Sequence, residues 1–89
     1  MENKPLGRKL LVIDKDETIL KEVETVLLKE GYTVHIAANL NTSIEIINSN
    51  EIDMVLLDIH SLMKKGIDGY EELKEKFPEL PIVVTSHNI

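Results

Sequence analysis

Short unbroken aliphatic runs alternate along this chain with stretches whose apolar residues recur at helical spacing. Leu10-Leu11-Val12-Ile13 has no polar interruption, the pattern of a strand covered on both faces. From Glu17 to Glu30 the period changes. Ile19, Leu20, Val23, Val26 and Leu27 fall within about 120° of one another at roughly 100° per residue, which is one face of a helix. Leu28 lies off that stripe, and Gly31 follows the last turn, where a left-handed stop is expected. Tyr32 to Ala37 predicts a second strand, less purely apolar and therefore nearer a sheet edge. Leu40, Ile44 and Ile47 repeat at i, i+4, i+7 and predict a short second helix over residues 41–49, with Asn39 or Asn41 as its N-cap. Met54-Val55-Leu56-Leu57 predicts a third strand ending at Asp58. Tyr70, Leu73 and Phe77 mark a third helix halted before Pro78, and Ile82-Val83-Val84 forms a fourth strand launched by Pro81.

The resulting order, β-α-β-α-β-α-β, predicts an α/β fold: a parallel sheet with right-handed crossovers and helices on both faces, a three-layer doubly wound architecture. The chain has 89 residues, enough for one domain with one core. It ends a few residues past the fourth strand, whereas a closed doubly wound sheet wants a further helix and strand. The expectation is a single domain incomplete at its C-terminus. Ile82-Val83-Val84 is then an exposed edge, covered by the rest of a longer parent or by another chain, with homodimerisation or poor solubility as the consequence.

Composition narrows the function. Hydrophobic residues make up 43% and charged residues 29%, the balance of a soluble globular domain. Sixteen acids against ten Lys and Arg give a net charge of −6, which argues against a nucleic-acid partner. The absence of Cys excludes disulfides, thiol catalysis and cysteine-ligated zinc. The N-terminus lacks the apolar core of a signal peptide and no run is long enough to span a membrane, so the expected location is the cytoplasm, with no membrane partner.

In open parallel sheets ligands bind at the carboxyl ends of the strands, where strand order reverses. Here the first strand ends in Asp14-Lys15-Asp16-Glu17, the third in Asp58 and the fourth in Thr85-Ser86. If the first and third strands are neighbours, these groups share one crevice. Crowded carboxylates repel unless a cation sits among them, which suggests a magnesium-type site with a hydroxyl at its rim, suited to phosphoryl transfer. The plainer alternative is that Asp14 is a turn former and that Asp16 and Glu17 complement the dipole of the following helix.

Over residues 8–88 the chain resembles the receiver domain of bacterial two-component response regulators. The matching stretches are Leu10-Leu11-Val12-Ile13-Asp14, Glu30-Gly31-Tyr32-Thr33-Val34, Asp53-Met54-Val55-Leu56-Leu57-Asp58-Ile59, Asp68-Gly69-Tyr70-Glu71-Glu72-Leu73 and Pro78-Glu79-Leu80-Pro81-Ile82-Val83-Val84. The resemblance implies a flavodoxin-like strand order, 2-1-3-4 in the portion present, lacking the last helix-strand-helix. It also implies that Asp58 is the phospho-acceptor for a sensor histidine kinase, with Mg²⁺ held by Asp14, Asp58 and the backbone carbonyl of His60. Asp16 would join the metal only through a small loop shift. Ser86 is the implied switch hydroxyl, and an output domain or downstream protein reads the switch. On this reading the chain is not a conventional enzyme and at most catalyses its own phosphorylation and dephosphorylation.

Several departures accompany the resemblance. Lys15 stands where the family carries a second acid, and it either weakens metal binding or places a point charge near the phosphoryl oxygens. The stretch from Ile59 to Ile67 is about three residues longer than the family pattern and lacks its proline, and the family's fifth-strand lysine falls beyond Ile89. These features favour an alternative: a receiver-like module that takes no phosphate and serves as a protein interaction surface. A third reading compares Asp14-Lys15-Asp16-Glu17-Thr18 with the first motif of haloacid-dehalogenase-type phosphatases, with Asp14 as nucleophile and Asp16 as general acid/base. That comparison fails at Ala37-Ala38-Asn39, where a Ser or Thr is wanted, whereas the receiver resemblance continues to Ser86.

Overall fold

A computed structural model describes residues 8–58 and 67–85. Four strands, β1 (Lys9–Ile13), β2 (Thr33–Ala37), β3 (Met54–Asp58) and β4 (Ile82–Thr85), alternate with three helices, α1 (Glu17–Lys29), α2 (Leu40–Ser49) and α3 (Ile67–Lys76). All strands run parallel in the order β2-β1-β3-β4. The chain therefore moves outward from β1 to β2, returns past it to β3, and continues to β4. That reversal leaves a crevice above the carboxyl ends of β1 and β3.

The position of β1 in the middle of the sheet explains its unbroken apolar run, since Leu10, Leu11, Val12 and Ile13 are all buried. Leu11 is level with His35 and Val55, and Ile13 with Ala37 and Leu57. Residues level with one another in a parallel sheet share a face, and this face carries the main core. Leu11, Ile13, Ala37, Val55 and Leu57 pack there with Leu73 of α3, and Leu40, Ile44 and Ile47 of α2 close over them. On the other face, Val12 and Leu56 line a cleft together with Ile19 and Val23 of α1. At the opposite end of the sheet Asp53 ties β1 to β3. Its backbone N–H donates to the Lys9 carbonyl at 2.7 Å, and its Oδ2 accepts from the Lys9 N–H at 2.7 Å.

Local chemistry sets the helix ends. Asp16 caps α1 through Oδ1, which accepts from the Thr18 N–H at 2.9 Å and the Ile19 N–H at 3.4 Å. At its far end the chain turns at Gly31, whose φ of 99° is open to glycine without steric cost, and the Gly31 N–H donates to Leu28 O at 3.1 Å. Asn39, not Asn41, is the N-cap of α2, so that helix starts at Leu40, one residue earlier than expected. Its Oδ1 accepts from the Thr42 N–H at 2.8 Å, and the buried Ser43 hydroxyl donates to the Asn39 carbonyl at 2.7 Å.

Leu28 is exposed, as its place off the stripe implies. Val26, expected within the buried stripe, is 58% exposed. It sits at one extreme of the apolar arc, on the side of Ile19 and Val23, which turn toward β3 and β4. Among the described residues nothing rests on that part of the sheet heavily enough to bury it. Val83 and Val84 are likewise exposed on β4, the outermost described strand on that side. No helix among the described residues is long and apolar enough to cross a membrane.

Two stability measurements check this packing. Leu11→Ala removes a side chain with no exposed surface and should lower the unfolding free energy by about 3 kcal/mol in urea titration, whereas Leu28→Ala should change it by less than about 0.5 kcal/mol. Asp16→Ala, which deletes the α1 cap, should cost about 1 kcal/mol in the same assay.

Candidate functional site

The crevice is built by strand register. Ile13 is level with Leu57, so the next residues, Asp14 and Asp58, leave neighbouring strands at the same height. Adjacent strands lie about 4.8 Å apart, which brings two carboxylates together at the point where strand order reverses. Each residue is only 3% exposed, and Asp58 Oδ1 is sealed from solvent. Burial of two acids side by side is costly without compensating charge or hydrogen bonds, and this is the feature that separates the site from the solvated acids elsewhere on the surface.

Asp14 is held from two directions. Its backbone N–H donates to the Ala37 carbonyl at 3.1 Å, extending the β1–β2 ladder by one step. Its Oδ1 accepts from the Asp16 N–H at 2.9 Å, a side chain bonded two residues ahead that turns the chain out of the strand. Asp16 then caps α1 by the same means. The two acids of this loop thus have different places: Asp14 lines a cleft together with Asp58, and the carboxylate of Asp16 is engaged by the amides of Thr18 and Ile19. Lys15, between them, is exposed.

A cleft of 240 Å³ runs from the carboxylates down the α1 face, lined by Asp14, Asp58 and Thr85 at its mouth and by Val12, Leu56, Ile19 and Val23 below. A larger hollow of 560 Å³ lies at the other end of the sheet, bordered by Ile52, Asp53, Phe77 and Leu80. It is remote from the paired acids and shares none of their chemistry.

Asp14 and Asp58 therefore come together, while Asp16 turns to the helix. The His60 carbonyl and Ser86, expected to complete the site, and the lengthened stretch over residues 59–66 lie outside the described residues. Sequence reading passed over Thr85 in favour of Ser86. Thr85 is level with Asp58 in the β3–β4 pairing and lines the same cleft. Register between strands separated by a helix is a non-local property, so no local signal marks this residue.

The carboxylates suit a magnesium-type ion, a hard cation that takes oxygen ligands and keeps several waters. No group of three or more His, Asp or Glu side chains placed to hold a metal occurs among the described residues. Asp14 and Asp58 would thus be the side-chain ligands, with backbone and water oxygens completing the shell.

Comparison with known proteins agrees with this geometry. The sequence pattern of the response regulator receiver domain matches residues 10–89. NtrX from Brucella abortus, solved in complex with ADP, superposes with a TM-score of 0.82 at 29% identity over 94% of this chain; the match spans 19% of the NtrX chain. A response regulator receiver domain protein from Clostridium thermocellum gives a TM-score of 0.79 at 28% identity, covering 91% of this chain and 67% of its own. The fold also matches that of a complex between histidine kinase ThkA and response regulator TrrA, with a TM-score of 0.80 at 24% identity over 92% of this chain and 71% of the other. With strand order and sequence pattern in agreement, the chain belongs to the response regulator receiver domain family.

Proposed function

We propose that this chain accepts a phosphoryl group on Asp58 from the phosphohistidine of a sensor histidine kinase, as the receiving step of a two-component phosphorelay in the cytoplasm. The observation that carries this reading is the level placement of Asp14 and Asp58, both buried, at the strand-order reversal. Similarity to a fold found in complex with a histidine kinase supports the choice of partner.

In the proposed step an Asp58 carboxylate oxygen attacks phosphorus. The new O–P bond forms as the N–P bond of the phosphohistidine breaks, and the imidazole leaves with the bonding pair and takes a proton from solvent. Asp58 is suited to this because β3 holds its backbone rigidly, so the nucleophile reaches the phosphorus from a fixed position. Asp14, fixed by the Asp16 N–H, lines the same cleft as Asp58. Asp14, Asp58 and the His60 carbonyl would hold a Mg²⁺ ion, whose positive charge would let a phosphoryl anion approach a carboxylate. Asp16 can join that set only by giving up its two bonds to the α1 amides. Ser86 serves as the hydroxyl that turns toward the phosphoryl group, and an output domain, a downstream protein or a second copy of the chain reads the change.

A second reading rests on Lys15 and on the capping role of Asp16. Together they leave a single loop carboxylate beside Asp58 and place an exposed cation next to it. If these changes abolish metal binding, the chain works as an interaction module that takes no phosphate.

Incubation with Mg²⁺ and acetyl phosphate should add the mass of one phosphoryl group, and Asp58→Asn should remove the adduct. Intact-mass measurement showing no adduct with the wild-type chain would leave the interaction module. Asp14→Asn should raise the Mg²⁺ concentration needed for half-maximal phosphorylation by at least about tenfold. An unchanged requirement would remove Asp14 from the metal site.

A further inference from the structure

The foot of the sheet, where β3 and β4 begin, pairs an apolar floor with a negative rim. The hollow of 560 Å³ at that end is floored by Ile47, Ile52, Phe77 and Leu80, which are half-buried and pack behind it against the main core. Glu51, Asp53 and Glu79 stand exposed around it, and no lysine or arginine lines it among the described residues. Helix direction adds to the negative field. Both α2 and α3 end here, with Ile47 and Asn50 at the close of one and Phe77 just past the other. The carboxyl end of a helix carries about half a negative charge. Lys74 and Lys76 offset that charge in the last turn of α3, whereas the last turn of α2 has no basic residue. The walls are set before anything binds. Pro78 and Pro81 restrict their own backbone, the Leu80 N–H donates to the Phe77 carbonyl at 3.1 Å, and the Val55 N–H donates to the Pro81 carbonyl at 3.0 Å.

We infer that this hollow docks a peptide segment of a partner protein, one in which apolar side chains lie between arginines or lysines. The floor takes the apolar side chains out of water, and the rim acids receive the flanking cations. A preformed groove spares much of the ordering that such a contact otherwise costs. Two other occupants fit less well. A second copy carries the same net charge of −6 and meets the rim with like charge. A metal ion needs its carboxylates gathered at one point, and no group of three or more such ligands occurs among the described residues. The hollow lies at the opposite end of the strands from Asp14 and Asp58, so the docking site stands whether or not Asp58 takes a phosphoryl group.

The probe is an end-blocked, fluorescein-labelled peptide with a leucine pair flanked on each side by arginines. Its affinity for the whole chain is read by fluorescence anisotropy at about 0.15 M salt, where distant charges are screened. Wild type should bind it, and joint Glu51→Lys and Glu79→Lys should weaken binding at least about tenfold. Both residues are exposed, so the melting temperature should hold. Joint Glu71→Lys and Glu75→Lys makes the same change of charge on an acidic patch of α3 that has no apolar lining. That variant should stay within about twofold of wild type. A peptide with serines in place of the leucines should bind at least about tenfold more weakly. Equal losses from the two double variants, or equal binding of the serine peptide, would mean attraction to acidic charge in general and overturns the site. Failure of the wild-type chain to bind the leucine peptide overturns it as well. Sedimentation showing a dimer broken by Glu51→Lys and Glu79→Lys would assign the hollow to a second copy and overturn the inference in the same way.

Discussion

The parallel pairing of β1 with β3 is the constraint on which the rest depends. Ile13 level with Leu57 does two things at once. It buries two side chains with virtually no exposed surface in the main core, and it brings the next residues on each strand, Asp14 and Asp58, to the same height. A slip of one residue would turn Leu11, Ile13, Val55 and Leu57 away from the core and separate the acids in the same motion. The apolar packing below thereby guards the geometry of the polar site above. The reciprocal bonds between Lys9 and Asp53 hold the same register from the other end of the pair.

The turn out of β1 is built from two short side chains used in sequence. Asp14 accepts from the Asp16 amide, and Asp16 accepts from the amides of Thr18 and Ile19. Each bond satisfies donors that a strand end or helix start would otherwise leave without partners. The arrangement divides the labour of two acids two residues apart. The first is tied to Ala37 of β2 and turns the chain out of the strand, and the second starts the helix, so two acids that look alike in sequence have separate structural roles.

The two faces of the sheet are unequal. On one, α2 and α3 enclose a continuous aliphatic core. On the other, α1 lies toward β1 and β2, and Val26 of the helix and Val83 of β4 remain exposed among the described residues. The cleft beneath Asp14 and Asp58 opens onto this second face. Any group that comes to rest there would touch the aliphatic lining and the carboxylates together, which links the covering of the sheet to the dielectric environment of the site.

Much of the architecture was legible from residue order. Aliphatic runs marked four strands, helical spacing marked three helices, Gly31 and Pro78 marked stops, and Asp58 stood at the end of a buried strand. These are local properties, set by backbone sterics and by burial of one face. Val26 was misplaced because periodicity tells which residues align on a helix but not how much of that stripe the sheet covers. The placing of Asp16 at the start of the first helix was readable from sequence, and the structure gives it two amide partners there, Thr18 and Ile19. Residue order by itself determined the elements, their sequence and the chemical character of the strand ends. Only the tertiary structure decided which strand ends are neighbours, that Asp14 and Asp58 line one cleft, and that Thr85 is level with Asp58. Those outcomes depend on register between segments far apart in the chain, and register is selected by the packing of the whole sheet.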